Sequence, residues 1–337
     1  LRDDKNARET IYAGYALANL KIGDIGVVAG ARVEHRDTYN RFWSDDGAAS
    51  GFDSTSRGYT LLLPSVTANW RPDGQHVVRA AVWTGYSPPE YGNLSSGQSI
   101  TRDPATREVV SISRGNPDLK PARSTNLDLS AEWYPDAASM VSAATFYKHI
   151  DHFIFTNGNQ INADTRQGTI EVTQPQNGKT ADLYGIELNV IKQLRGLAPP
   201  FDGFGLEGNV TVQHSAADSG QAYREGRKMR FVNTPHLLYN AAITYQNDVV
   251  QMKLSYNYRG KYIEDLRDNA VDKWVQHNRS VDFHSRVTLS SRVAVDFDVA
   301  NLLNDWRYYT TKGDNPSYQK DYMEPGRTFL LRTSVVF

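Results

Sequence analysis

The chain has 337 residues, of which 37 are basic and 38 acidic, and its formal net charge of -1 lacks the basic excess of a nucleic-acid-binding protein. Its hydrophobic content is 39% and its mean hydropathy -0.55, and no run approaches the ~18 apolar residues of a membrane helix. Cysteine is absent, so no disulfide framework and no thiolate metal site is available.

A helical membrane protein is thereby excluded, but a membrane barrel is not. A barrel strand faces lipid only at alternate residues, so its mean hydropathy stays low. The 19 Tyr, 12 Phe and 6 Trp would find a place in aromatic belts at a membrane interface. The first residues, Leu1-Arg-Asp-Asp-Lys5, form neither a signal peptide nor a Met start, which points to a fragment or a processed product.

In chain order, period-2 alternation predicts strands over 8–22, 25–42, 58–72, 75–86, 123–135, 139–155 and 178–194. It continues over 203–217, 226–246, 249–264, 271–289, 292–311 and 326–337. Leu127, Leu129 and Trp133 alternate with Asn126, Asp128 and Glu132, and Met252, Leu254 and Tyr256 alternate with Gln251, Lys253 and Ser255. Successive side chains on a strand point to opposite faces, so each ribbon has one polar side. No amphipathic helix stands out, and the reading is all-β.

Many of these strands greatly exceed the ~5–6 residues of an ordinary globular strand. Their connections alternate in length. Short turns fall at Gly23-Asp24, Asp73-Gly74, Asp136–Ala138, Asn247-Asp248 and Ser290-Ser291, with a longer one near Arg195–Asp202. Long loops fall at 43–57, 87–122, 156–177, 218–225, 265–270 and 312–325. Short turns on one rim and long loops on the other are the pattern of an outer-membrane barrel. So wide a barrel cannot be filled by side chains, so its polar face should line a lumen and its apolar face should meet lipid. Trp70, Trp133, Tyr134, Tyr245 and Phe337 are expected to form one girdle, and Tyr86, Tyr256, Tyr258, Tyr308 and Tyr309 the other.

Several stretches resemble a known family. Pro325–Phe337 ends on an aromatic like the closing strand of outer-membrane barrels. Gly115-Asn-Pro-Asp-Leu-Lys-Pro121 with Ser124-Thr-Asn126, Phe146-Tyr-Lys-His-Ile-Asp-His-Phe-Ile154, and Ala300-Asn-Leu-Leu-Asn-Asp305 with Tyr308-Tyr309 are similar to segments of TonB-dependent receptors. The resemblance covers roughly residues 75–337, with Ala122 and Arg123 departing from the family's usual Glu. It implies the C-terminal portion, one domain over 1–337, of a transmembrane antiparallel barrel of about twenty-two strands. The plug and the remaining strands would lie outside the chain. It further implies a TonB energy-coupling complex, barrel assembly machinery that reads Phe337, and outer-membrane lipid and lipopolysaccharide as surroundings.

Chemical motifs are few. Gly203-Phe-Gly205-Leu-Glu-Gly208 matches a dinucleotide pattern, but a strand and not a helix should follow it. His149 and His152 lie at odd spacing, on opposite faces of a strand. Asp282 and His284, like Asp296 and Asp298, share a face that reads as solvated lumen. No nucleophile stands beside a base, so neither catalysis nor a bound cofactor or metal is expected. The outer loops supply the binding candidates: Tyr86, Tyr91, Arg102, Arg107 and Arg114 around loop 87–122, and Trp274 and Trp306 further on. Arginines suit an anionic iron chelate and aromatics suit sugar rings, while each arginine is equally suited to solvent or lipopolysaccharide phosphate. The expected function is uptake of a scarce solute, an iron–siderophore complex or an oligosaccharide, with the motif style leaning towards carbohydrate. A passive porin or adhesin and a soluble carbohydrate-binding protein are the alternatives.

Overall fold

A computed structural model describes residues 5–45, 50–95, 97–162, 169–221, 224, 227–267, 272–310 and 319–336. The first strands are β1 (Lys5–Ile22), β2 (Ile25–Asp45), β3 (Ser50–Trp70), β4 (His76–Ser87), β5 (Gln98–Arg102), β6 (Val109–Arg114) and β7 (Ala122–Asp136). Then come β8 (Ser139–Asp151), β9 (Ile154–Asn162), β10 (Thr169–Asn177), β11 (Thr180–Gln193), β12 (Phe204–Asp218), β13 (Leu237–Gln246) and β14 (Val250–Arg259). The last are β15 (Tyr262–Arg267), β16 (Lys273–Val275), β17 (Asn278–Ser290), β18 (Val293–Ala300), β19 (Arg307–Thr310), β20 (Gln319–Met323) and β21 (Thr328–Val335).

Thirteen of them form one antiparallel sheet in the order β1-β2-β3-β4-β7-β8-β11-β12-β13-β14-β17-β18-β21. Each strand pairs with its predecessor and successor, as an up-and-down wall requires. The sheet is open, with β1 and β21 at its two edges. The thirteen expected strands are therefore present, whereas the closed barrel is not formed by this chain.

The wall turns its apolar side outward. In β7, Leu127, Leu129 and Trp133 are exposed (52%, 49% and 45%), while Asn126, on the opposite face, is 2% exposed. Ile186, Leu188 and Val190 of β11 are likewise exposed, and Glu34 of β2 and Asp296 of β18 are buried. Such a surface in water would be an aggregation hazard; facing hydrocarbon it is the stable arrangement. On the outward side Phe204 stands opposite Tyr245 near one end of β12, and His214 opposite Tyr184 near the other. Ten residues at ~3.3 Å each, tilted by about 45°, separate those levels by ~23 Å, close to the height of a barrel's apolar band.

Aromatics mark both limits of the band. Trp70 and Trp133 are exposed at the short-turn end, whereas Tyr134, also expected there, donates its hydroxyl to Glu132 (2.6 Å) on the polar side. Tyr239 stacks between Tyr256 and Tyr258, with ring centroids 5.8 and 4.8 Å away, near the long-loop end, and Tyr147 pairs with Tyr184 there. Three further expected girdle members belong elsewhere: Tyr86 contacts Glu34, and Tyr308 and Tyr309 lie in β19 away from the wall. Phe337 lies outside the described residues.

Sequence periodicity assigns the long connections to irregular loops, but the structure has a second sheet of eight short strands, β20-β19-β16-β15-β9-β10-β6-β5, of which β5, β6, β10, β20 and most of β9 lie in those connections, while much of the expected loop 43–57 belongs to β2 and β3. Two of its pairings, β6 with β10 and β9 with β15, are parallel and link loops distant in sequence. The expected strands over 249–264, 271–289 and 292–311 each divide into a wall strand and a loop-sheet strand. The expected strand over 226–246 begins only at Leu237. Asn233 has φ 57°, and Pro235 has no N–H to give a ladder.

Phe153, Phe155, Ala181, Ala217, Ile263 and Leu266 form the buried core between the second sheet and the wall, with Met229, Phe231 and Trp274 packed against it. Gly178 is required there, because a Cβ at this position would lie 2.2 Å from the Phe153 ring. The family-like motifs act as fasteners. Asn116 donates to the Pro175 carbonyl (3.1 Å), and Asn177 accepts from the Lys120 N–H (2.8 Å). Asn301, at φ 55°, donates to the carbonyls of Asp305 and Gly326 (3.2 and 2.9 Å).

Candidate functional site

Strand register builds the site. Arg36 faces Tyr59 and Thr38 faces Arg57 across β2 and β3, and Glu9 of β1 faces Thr38. Directly opposed residues share a face, so these polar groups gather on the enclosed side of the wall. The segment after β4 begins Pro88-Pro89, which favours extended backbone, then makes a 3-10 turn over Tyr91–Leu94. It folds back on β3: the Leu94 carbonyl accepts from Thr55 Oγ1 (3.4 Å) and that of Pro117 from Arg57 (2.6 Å). Between wall and loop lies a cavity of ≈ 400 Å³ lined by Glu9, Arg36, Arg57, Tyr59, Pro89 and Tyr91, among others.

Its charges are unequally matched. Arg36 is held by Glu9 (2.6 Å) and Glu34 (2.8 Å), and Glu34 also binds Arg32 (2.9 Å) and accepts from the Tyr86 hydroxyl. Arg36 also lies over the Tyr86 ring, 5.2 Å from its centroid. That network is internally neutralised. Arg57 differs: it donates to a carbonyl, and among the described residues no carboxylate pairs with it. The Tyr91 hydroxyl donates to Glu9 Oε2 (3.0 Å). Burial and then this bond push the Tyr91 phenol above its ordinary pKa, so it remains a donor.

A second cavity, ≈ 390 Å³, lies alongside and shares Ser87 with the first; Trp83, Tyr86, Arg123, Lys148, Phe153 and Phe231 are among its walls. Trp83 donates its indole N–H to Asp128 (2.6 Å). The two cavities thus offer aromatic surface and cations on either side of Tyr86-Ser87. Guanidinium and aromatic faces together suit a planar anionic group. Among the described residues, no group of three or more His, Cys, Asp or Glu could hold a metal ion.

The sequence candidates divide. Tyr86 and Tyr91 come together around Glu34, Glu9 and Arg36. Arg102 and Arg107 sit at the tip of the β5–β6 hairpin, where Arg102 donates to the Arg107 carbonyl (3.2 Å). Arg114 pairs with Gln98 at the hairpin's other end, and none of the three lines either cavity. Trp274 is packed on the loop-sheet core with Arg230 5.8 Å from its ring, and Trp306 stacks on Tyr322 at 5.4 Å. Glu9, Arg57 and Tyr59 are not among the candidates. The signal in the sequence that points to this part of the wall is the alternating charged face of Arg32, Glu34 and Arg36.

No helix follows the Gly203–Gly208 pattern; β12 runs through it. His149 and Asp182, beyond the Tyr147 and Tyr184 pair, form an ion pair at 2.8 Å. The hydrogen bond to Asp182 raises the His149 pKa, and the same bond lowers that of Asp182.

An all-β wall with a lipid-facing apolar side and loops packed over its polar side defines an outer-membrane protein of the strand-spanning kind. Residues 1–302 match the family model "TonB dependent receptor-like, beta-barrel", and the chain belongs to that family, whose members are transporters and not enzymes. Its place is the outer membrane, crossed by many strands. The iron-regulated outer membrane virulence protein of Vibrio cholerae serotype O1 is 24% identical over 286 residues, covering 81% of this chain. The chain spans 39% of that relative's length. Among solved structures, the ferric-catecholate import receptor Fiu of E. coli K12 is similar in fold (TM-score 0.68, 19% identity), covering 99% of this chain and 46% of that one. The copper transporter OprC is also similar (TM-score 0.70, 16% identity), covering 98% of this chain and 48% of that one. None of the three is named for a carbohydrate, and nothing here favours a passive porin or a soluble binding protein.

Proposed function

We propose that the chain forms the C-terminal part of a receptor that takes up an anionic iron chelate by TonB-coupled transport. Strands outside the chain complete the edges of β1 and β21 into a closed, plugged barrel, since open edges of this length invite unwanted pairing. The observation carrying the ligand reading is Arg57, a cation that pairs with no carboxylate among the described residues, lining a cavity with Tyr59 and Tyr91. A guanidinium so placed would bind a carboxylate on a chelate bidentately, or donate to a phenolate oxygen.

Two of the three relatives are named for iron and the third for copper, and the side chains favour a chelate over a bare ion, because the cavity's chemistry is guanidinium and phenol. An oligosaccharide fits less well: of the expected stacking platforms Tyr91, Trp274 and Trp306, only Tyr91 lines the cavity, and the two tryptophans are already engaged by Arg230 and Tyr322. The expected ligand contacts therefore become Arg57, Tyr59, Tyr91 and Tyr86, with Arg102, Arg107 and Arg114 as an outer cationic rim. The test is uptake of radiolabelled ferric chelates by cells carrying Arg57→Glu. Uptake should fall at least tenfold, the equivalent of about 1.4 kcal/mol, while an Arg107→Glu control changes less. Unchanged uptake by Arg57→Glu would remove the cavity from the site.

A further inference from the structure

The connectors at the short-turn rim differ from one another in a way the transport reading does not use. Most are tight and carry no large apolar side chain: Gly23-Asp24, Asp73-Gly74, Ala137-Ala138 and Ser291-Arg292. The connector between β11 and β12 is longer and reads Leu194-Arg-Gly-Leu-Ala-Pro-Pro-Phe-Asp-Gly203. It is a folded unit: the Leu197 N–H donates to Leu194 (3.1 Å), that of Phe201 to Ala198 (2.9 Å), and that of Leu194 to Phe204 (2.9 Å). Pro199 and Pro200 further restrict its backbone. Yet this ordered unit presents Leu197 and Phe201 to the surroundings, 52% and 59% exposed.

Its aromatic tip is continuous with the lipid-facing wall. Phe201 stacks on Phe204 (centroids 6.5 Å apart, planes 26° apart), and Phe204 meets Tyr245 edge-on at 4.9 Å. Phe204 and Tyr245 oppose each other one step below Leu206 and Ile243, which are exposed on the outward side. The aromatic row of the membrane boundary therefore extends past the end of the strands and onto the connector. Val249, 52% exposed in the next turn of the same rim, adds to this apolar edge.

We propose that residues 197–201 are a lipid anchor, a rigid apolar knuckle seated in the phospholipid headgroup layer at the short-turn face of the membrane. Aromatic and aliphatic side chains at that depth gain from burial while their backbone stays hydrated. Pre-ordering by prolines and internal hydrogen bonds removes much of the entropy loss that a floppy loop would suffer on insertion. The knuckle fixes the height of the wall in the bilayer beneath β11 and β12. This inference rests on the outward-facing apolar wall and is independent of which solute is carried.

The experiment uses the intact receptor in phosphatidylethanolamine–phosphatidylglycerol vesicles, with one cysteine introduced for a fluorescent label; this chain has none of its own. Phe201→Cys is the probe position, Leu197→Cys a second in case the first assembles poorly, and Gly74→Cys the reference on a polar turn. At 201 or 197, aqueous iodide should quench severalfold less than at 74, and phospholipid spin-labelled near the headgroup should quench severalfold more. Iodide quenching equal to that at 74 overturns the proposal. Protection from iodide without quenching by the spin-labelled lipid also overturns it, because a protein surface would then cover the knuckle.

Discussion

Leu188 lies on the outward side of β11, opposite Ala143 and Val210 and about midway between the Phe204 and His214 levels. Its neighbour Asn189 points to the enclosed side, opposite Ser142 and Asn209. A cation at Leu188 would stand near the bilayer midplane, where Arg costs about 2–4 kcal/mol, whereas near the interface the same change costs about 0–1 kcal/mol. Leu188→Arg should therefore shift the folding equilibrium by roughly 30- to 700-fold. Tyr184→Arg, at the long-loop boundary, should shift it far less, and Asn189→Arg should stay within about 0.5 kcal/mol. The assay is reversible urea unfolding of the intact receptor in phospholipid vesicles, followed by tryptophan fluorescence. If Asn189→Arg costs more than Leu188→Arg, the enclosed side is dry and the assignment of faces is wrong. Equal costs at 184 and 188 would remove the depth argument.

Gly178→Ala should drive a methyl into the Phe153 ring and destabilise the loop sheet by about 1–3 kcal/mol, seen as faster proteolysis of residues 154–177 with the wall intact. Asn301→Ala should cost about 1–3 kcal/mol, because it keeps a left-handed backbone position while losing the bonds to Asp305 and Gly326, measurable as faster hydrogen exchange at 301–305. The His149–Asp182 pair predicts a pH window. Because the His149 pKa is raised, its contribution is full below the ordinary histidine value of ~6.5 and is lost as pH rises through the folded value. Because the Asp182 pKa is lowered, the contribution fails again as pH falls through that lower value. Asp182→Asn should move the His149 titration midpoint down in an NMR titration; an unmoved midpoint would assign the shift to Asp151, 3.5 Å away.

The wall was legible because its alternation is enforced by two solvents, lipid outside and water inside, over strands as long as the 21 residues of β2 and β3. The second sheet was not. Strands such as β16 span three residues, too few to show a period, and their partners lie in other loops. A parallel pairing such as β6 with β10 leaves no local mark in either segment. Boundaries failed where a single residue overrode the pattern, as Pro235 does before β13. The site was half legible. Tyr86 and Tyr91 were found from their loop, but Arg57 and Tyr59 lie on a wall strand, where a charge or phenol on the polar face looks like any other. Unlike Arg36, Arg57 pairs with no carboxylate among the described residues although Glu9 lines the same cavity, and that is a property of three dimensions. The arginines of the β5–β6 hairpin were chosen for chemistry alone, and the register spreads them along a ladder away from the cavity.

Stitching between loops also bears on how receptors of this build could be re-engineered. The segment 87–122 supplies β5 and β6, and β6 is the rung on which β10 rests, so excising that segment would bare a neighbour's edge as well as its own contacts. Loops woven into a shared canopy are not interchangeable cassettes. Transplanting one from another receptor would unpick its neighbours, and recognition would have to be altered by single side chains or by exchanging the canopy whole.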